Sequence, residues 1–288
     1  FKKINSFLFG RNLGRIPGAR ALHSFLYNSL KPKGQVAVEV NGFKMFLNSK
    51  DKGEVKDILL RGVYDKLETD IVQKSLGSGG IALDIGAHIG YFTLILAKAA
   101  GERGKVYAFE PEPGNFSILK KNIEANKFQN VVLENLALSS AAGKPNLFLD
   151  NDNLGNMSFS PANIPKRSLG GKVEVESQTL DDYAKKINGR INFIKMDVQG
   201  AEGLVFWGAA NLLKNHKPVI LTEFWPYGLQ NNGTDPLELL NTLKNLGYKF
   251  FVLDVKNQIL KEKRPDDIIN VSRNREGGKG WTNILCKT

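Results

Sequence analysis

The chain has 288 residues, 42% of them hydrophobic, and a formal charge of +11. That size and composition suit one large α/β domain with an N-terminal extension, and they exclude a disordered or fibrous chain. No apolar run approaches the roughly 20 residues of a transmembrane helix, and the single cysteine, Cys286, excludes an internal disulfide and fits a reducing compartment.

The charge is concentrated at the start. Residues 1–38 contain Lys2, Lys3, Arg11, Arg15, Arg20, Lys31 and Lys33 and no acid, which places +7 of the +11 there. Phe7, Leu8, Phe9, Phe25, Leu26 and Tyr27 are interleaved with these bases. Such a segment suits a helical lid on the rest of the protein, an interfacial helix on an anionic membrane, or an arm for a polyanion. Gly10, Arg11 and Arg15 break the apolar run that a signal peptide needs. The expected location is cytoplasmic, free or peripheral at the inner face of the membrane through residues 1–33.

Residues 35–48 alternate apolar and polar around Asn41-Gly42, the signature of a two-residue β-hairpin. Residues 1–52 therefore read as a basic helical segment plus hairpin, and 53–288 as the main domain, opening on a helix within 53–77. From there strands are expected at 80–85, 105–110, 131–136, 191–197, 217–223, 249–254 and 281–287. The helices expected between them are 90–100, 114–127, 202–214 and 235–246, with Pro113-Gly114 and Asp235-Pro236 as helix openers. Apolar strands alternating with helices specify a doubly wound parallel sheet. Residues 137–178 interrupt the alternation. Their flanks read as two extra strands, and the Asn-, Gly-, Ser- and Pro-rich stretch between them as a substrate lid or a surface insertion.

Residues 79–110 carry the strongest functional signal. A strand ends in Asp84, a turn runs from Gly86 to Gly90, a helix follows, and a second strand ends in Glu110. The dinucleotide fingerprint G-x-G-x-x-G needs three glycines; here Ala87 and His88 fill the middle and no third glycine is in register. The pattern D-x-G-x-x-x-G resembles the motif of class I S-adenosylmethionine (SAM) methyltransferases. A carboxylate after the second strand, Glu110, can accept both ribose hydroxyls. The loop glycine lets the backbone approach the ligand.

INFIKMDVQGAE, residues 191–202, forms a second constellation. A strand ends in Asp197, turns through Gln199-Gly200, and a helix starts at Glu202. The next strand ends in Glu223. Asp197, Glu202, Glu223 and His88 can converge at the carboxyl edge of the sheet, where open α/β sheets bind ligands. In-line methyl transfer needs alignment above all, and an alcohol acceptor needs a group to take its proton. Two or three of these acids could alternatively hold a divalent metal that polarises the alcohol. Asp197 reads as catalytic or substrate-binding rather than as a helix cap, Glu223 and Glu202 as catalytic or structural, and His88 as a loop contact or a base.

LDIGAHIGYFTLILA, VYAFEPEPGNFSILKKNI, LENLALSS, INFIKMDVQGAE and WTNILC together resemble the FkbM-type SAM-dependent methyltransferases over residues 60–287. The resemblance implies the class I sheet, seven-stranded and mostly parallel, with its last strand antiparallel. It assigns Asp84, Gly86 and Gly90 to the methionine part of SAM, Glu110 to the ribose, and Ala137 and Leu138 to the flanks of the adenine. Ala87, His88, Pro111 and Asp197 are further expected cofactor contacts. Asp197 and Glu202 match the family's D-x-E-G-x-E. Gln199 stands where Glu is usual, which favours metal-independent chemistry. His88 replaces Asn, and Tyr64-Asp65 replaces Tyr-Glu. The implied acceptor is a hydroxyl on a sugar of a glycan, glycolipid or secondary metabolite.

Two other readings remain at this point. An RNA methyltransferase would use the basic arm, but DVQG stands where base N-methylation brings [ND]-P-P-[FYW], so nucleic acid is disfavoured. A non-catalytic SAM-fold protein would not need both cofactor acids.

Overall fold

The computed structural model describes residues 34–53, 55, 58, 64–273, 277 and 279–288. The basic segment 1–33 lies outside them, as do residues 54, 56–57 and 59–63 of the stretch 53–77 expected to be helical.

Strands β1 (Gln35–Val40) and β2 (Phe43–Asn48) pair antiparallel, with Val40 opposite Phe43. Asn41 and Gly42 both take positive φ, as a two-residue turn requires. The hairpin is fastened to the domain by amides. Asn122 accepts from the Phe46 amide (2.6 Å) and donates to the Phe46 and Ile89 carbonyls. Helix α1 (Lys66–Ser75) is capped by Asp65, which accepts from the Glu68 amide.

Among the described residues the main sheet has eight strands. β3 (Ile81–Ile85), β4 (Lys105–Phe109) and β5 (Val131–Glu134) run parallel on one side. β10 (Ile191–Met196) and β11 (Val219–Phe224) continue the parallel set beyond β3. β14 (Thr282–Lys287) lies antiparallel between β11 and β12 (Lys249–Asp254). The seven expected strands are all present in this order. The eighth, β13 (Ile259–Lys263), adds an antiparallel hairpin at the β12 edge.

The expected helices recur as α2 (Tyr91–Ala100), α3 (Pro113–Ala125) and α8 (Pro236–Asn245), the last capped by Asp235 through the Leu237 and Glu238 amides. The helix expected over 202–214 is instead two, α5 (Glu202–Trp207) and α6 (Ala210–His216). They break at Gly208, where a Cβ would overlap the Ser139 carbonyl, so the chain passes too close to its neighbour to continue straight. Three helices were not expected: α4 (Leu180–Ala184), α7 (Pro226–Asn231) and α9 (Pro265–Arg273). Helices cover both faces and bury two apolar cores, one around Leu94, Leu96 and Phe193, the other around Phe109, Ile220 and Phe224.

The insertion contains β6 (Ala137–Leu138), β7 (Asn146–Asp150), β8 (Leu169–Glu174) and β9 (Ser177–Gln178). Its flanks pair as expected, Asn146 opposite Glu174 and Leu147 opposite Val173. The stretch between them folds back over the carboxyl edge of the sheet rather than outward. The Ser158 hydroxyl and the Asn163 amide both donate to the Gln199 carbonyl, and the Asn115 amide donates to the Leu154 carbonyl.

Candidate active site

Three loops build the site at the strand ends. After β3, Gly86 turns at φ +80° and its amide and that of Ala87 donate to the Phe109 carbonyl. After β4, Glu110 turns inward and is buried. Its two oxygens accept from the His88 amide (2.8 Å) and the Glu112 amide (3.0 Å). After β10, the Asp197 amide donates to the Ile85 carbonyl, which joins the third loop to the first. A Cβ on Gly86 would overlap the Asp197 carbonyl, so only glycine lets these loops meet.

The cleft between them changes character along its length. One end is a slot lined by Phe109, Glu110, Pro111, Ala137, Leu138 and Leu147, together with Met157 and Phe159 from the insertion. The middle is polar, with Asp84, Tyr64, Lys195 and the Gly86–His88 loop. The far end holds Glu68, Glu223, Trp225, Trp281 and Asn283. Asp197 lines all three parts and is the acid that faces solvent most, its side chain 32% exposed.

Charge is packed densely here. Lys195, 3% exposed on β10, lies 3.6 Å from Glu68 and 3.7 Å from Asp197, with its ammonium 4.9 Å from the centre of the Phe92 ring. Glu68 also accepts from the Asn283 amide. Burial alone would push the Lys195 ammonium down, but Glu68, Asp197, Asp84 and Glu223 surround it and hold it above its ordinary value. Burial dominates at Glu68 and lifts it to about 7 despite Lys195, because one cation is shared among several acids. Burial likewise lifts Glu110 to about 7, against the opposing pull of His88 and two backbone amides. Glu223 is raised well above its usual range by burial, then by Asp197 and Glu202. The Gln199 amide donates to Asp197 at 2.7 Å. A glutamate at that position would repel Asp197 where the glutamine steadies it.

Residues 84–250 match the family model for the methyltransferase FkbM domain. The chain belongs to the FkbM methyltransferase family. Methyltransferase sdnD of Sordaria araneosa is 29% identical over 202 residues, covering 58% of this chain and 76% of that protein. Methyltransferase 1 of Beauveria bassiana is 27% identical over 181 residues, covering 56% and 69%. Among solved structures, the FkbM methyltransferase of Methylobacillus flagellatus aligns with a TM-score of 0.42 at 16% identity, over 73% of this chain and 44% of that one. A Streptococcus mutans methyltransferase in complex with SAH aligns at 0.42 and 13%, over 77% and 96%.

Within this FkbM domain the structure brings most of the expected residues together. Glu110, Pro111, Ala137 and Leu138 line the slot, Asp84, Ala87 and His88 the middle, and Glu223 the far end. Asp84 also accepts from the Thr93 hydroxyl at 2.5 Å. His88, buried at φ +49°, stands 3.6 Å from Asp51 and against Gly155 of the insertion.

Two expected residues sit elsewhere. Gly90 caps α2 in the left-handed region and packs against Leu119. Glu202 is buried beneath the third loop, where it accepts from the Val198 (3.2 Å) and Gly200 (3.4 Å) amides, so it shapes the loop instead of facing the cleft. Sequence reading missed Glu68 and Lys195. The available signal was a charged residue inside each apolar face, Lys195 in INFIKM and Glu68 on the buried side of α1.

Proposed function

We propose that this methyltransferase moves the methyl group of SAM onto a hydroxyl oxygen of a sugar-bearing acceptor: a glycan, a glycolipid or a glycosylated secondary metabolite. The observation that carries the SAM reading is the match between the cleft and the ligand's parts. The apolar slot has the character an adenine needs. Glu110 keeps free lone pairs on both oxygens for a ribose diol. The middle of the cleft holds both signs of charge, as a zwitterionic amino-acid end requires. When bound, SAM supplies a methyl group activated by a sulfonium.

Asp197 stands where the slot meets the acceptor end, and the Gln199 amide holds its carboxylate. Its proposed task is to orient the acceptor hydroxyl and take its proton as the O–CH₃ bond forms. The far end supports a sugar acceptor. Indole faces beside carboxylates and amides suit a ring with apolar faces and hydroxyl edges; Trp281, 43% exposed, and Asn283 supply that pairing. We also propose that residues 1–33 touch anionic membrane, which would bring a lipid-linked acceptor to the cleft. Among the described residues no helix is long and apolar enough to cross a membrane.

The test is Asp197→Asn with radiolabelled SAM and a panel of methyl glycosides and lipid-linked glycans. Turnover should fall by about 10²–10⁴-fold while SAM affinity stays within about threefold. Full activity in the variant would remove Asp197 from the chemistry.

A further inference from the structure

We propose that Lys195 anchors the α-carboxylate of the cofactor's amino-acid end. The inference rests on the SAM reading above and adds a residue that the sequence motifs do not single out. It starts from an imbalance. A lysine ammonium has three N–H donors, and one as buried as Lys195 needs close acceptors. Its nearest carboxylate oxygens, on Glu68 and Asp197, are at 3.6 and 3.7 Å. Good N–H···O bonds fall at about 2.7–3.2 Å. The ammonium is thus surrounded by negative charge but not closely held, and it lines the middle of the cleft beside the Gly86–His88 loop.

The backbone amides of the Gly86–His88 loop are engaged, while those that open α2 carry no side-chain cap. The Gly86 and Ala87 amides donate to the Phe109 carbonyl, His88 to Glu110, and Gly90 to the Ala87 carbonyl. Lys52 also lines this part of the cleft, but it is exposed and its ammonium is 2.7 Å from Asp152. Among the described residues that line this part of the cleft, Lys195 is the buried cation on hand for an anion entering the pocket. Asp84, beside it, suits the α-ammonium. The site would discriminate between the two ends of one zwitterion by pairing each with the opposite sign.

The experiment compares SAM with decarboxylated SAM by isothermal titration, in the full chain and in Lys195→Met. Decarboxylated SAM carries more net positive charge. A pocket rich in acids binds it more tightly than SAM unless a cation holds the carboxylate. The expected result is that the unaltered protein prefers SAM by about tenfold or more, and that Lys195→Met loses this preference to within about twofold. Equal or tighter binding of decarboxylated SAM by the unaltered protein overturns the proposal, and this arm needs no variant. A preference that survives in Lys195→Met also overturns it. If Lys195→Met does not fold, Glu68→Gln/Lys195→Met removes the stranded carboxylate and is held to the same criterion. Failure to bind either ligand would sink the SAM reading itself, a different outcome from equal binding of both.

Discussion

Glu110 gives the sharpest quantitative prediction. Its carboxylate is to accept the ribose hydroxyls, and burial lifts it to about 7. Below that value it is mostly neutral and a poorer acceptor. A carboxyl at about 7 is roughly one-tenth ionised at pH 6 and nine-tenths at pH 8, so affinity for an adenosine ligand should weaken about tenfold from pH 8 to pH 6. The ligand to use is 5′-methylthioadenosine. It keeps the diol but lacks the amino-acid end, and so does not engage Glu68 or Lys195. Glu110→Gln should bind it roughly 10- to 100-fold more weakly at pH 8 and without the slope. Titration calorimetry at intervals from pH 5.5 to 8.5 reads both. A flat profile in the unaltered protein, or an unchanged slope in Glu110→Gln, would refute the reasoning.

Other predictions follow from the same geometry. Glu202 is lifted to about 7, first by burial, so its proton is held more tightly in the fold than in the unfolded chain. The stability this gives is complete below about 4.5 and is lost as pH rises through about 7. Glu202→Gln should therefore be more stable at pH 8 by about 3 kcal/mol and near neutral at pH 4.5, read by urea denaturation; lower stability at pH 8 would contradict this. Gly86→Ala forces a side chain into the left-handed region and against the Asp197 carbonyl; the φ strain alone costs about 1–3 kcal/mol, and SAM binding should be lost. Normal binding there would show that the loops do not meet as described. Trp281→Ala should raise the KM for a sugar acceptor by about three- to tenfold with SAM affinity unchanged; an unchanged KM would count against the indole platform.

The sheet was legible because its strands are buried on both faces and so appear as apolar runs, such as Ile81–Ile85 and Val219–Phe224. The cofactor loop was legible because glycine spacing and strand-end acids are local signals. The misses have physical causes. β13 is an exposed edge strand, ILKEK, with weak apolar alternation and an ion pair from Lys261 to Asp254 that only the fold creates. α9 is the exception, since it carries a local start signal, Pro265 followed by Asp266 and Asp267. The break at Gly208 depends on the Ser139 carbonyl, 69 positions away in the chain. Glu68 and Lys195 lie on different elements and acquire meaning only when α1 packs beside β10. Glu202 was the reverse case: a motif acid that the fold turns inward to hold a loop.

The central claim is that this cleft takes SAM rather than a dinucleotide. Isothermal titration of the purified full chain with SAM and, separately, with NAD tests it most directly. The account predicts micromolar binding of SAM and no binding of NAD. Binding of NAD, or heatless and saturation-free titration with SAM, would contradict it.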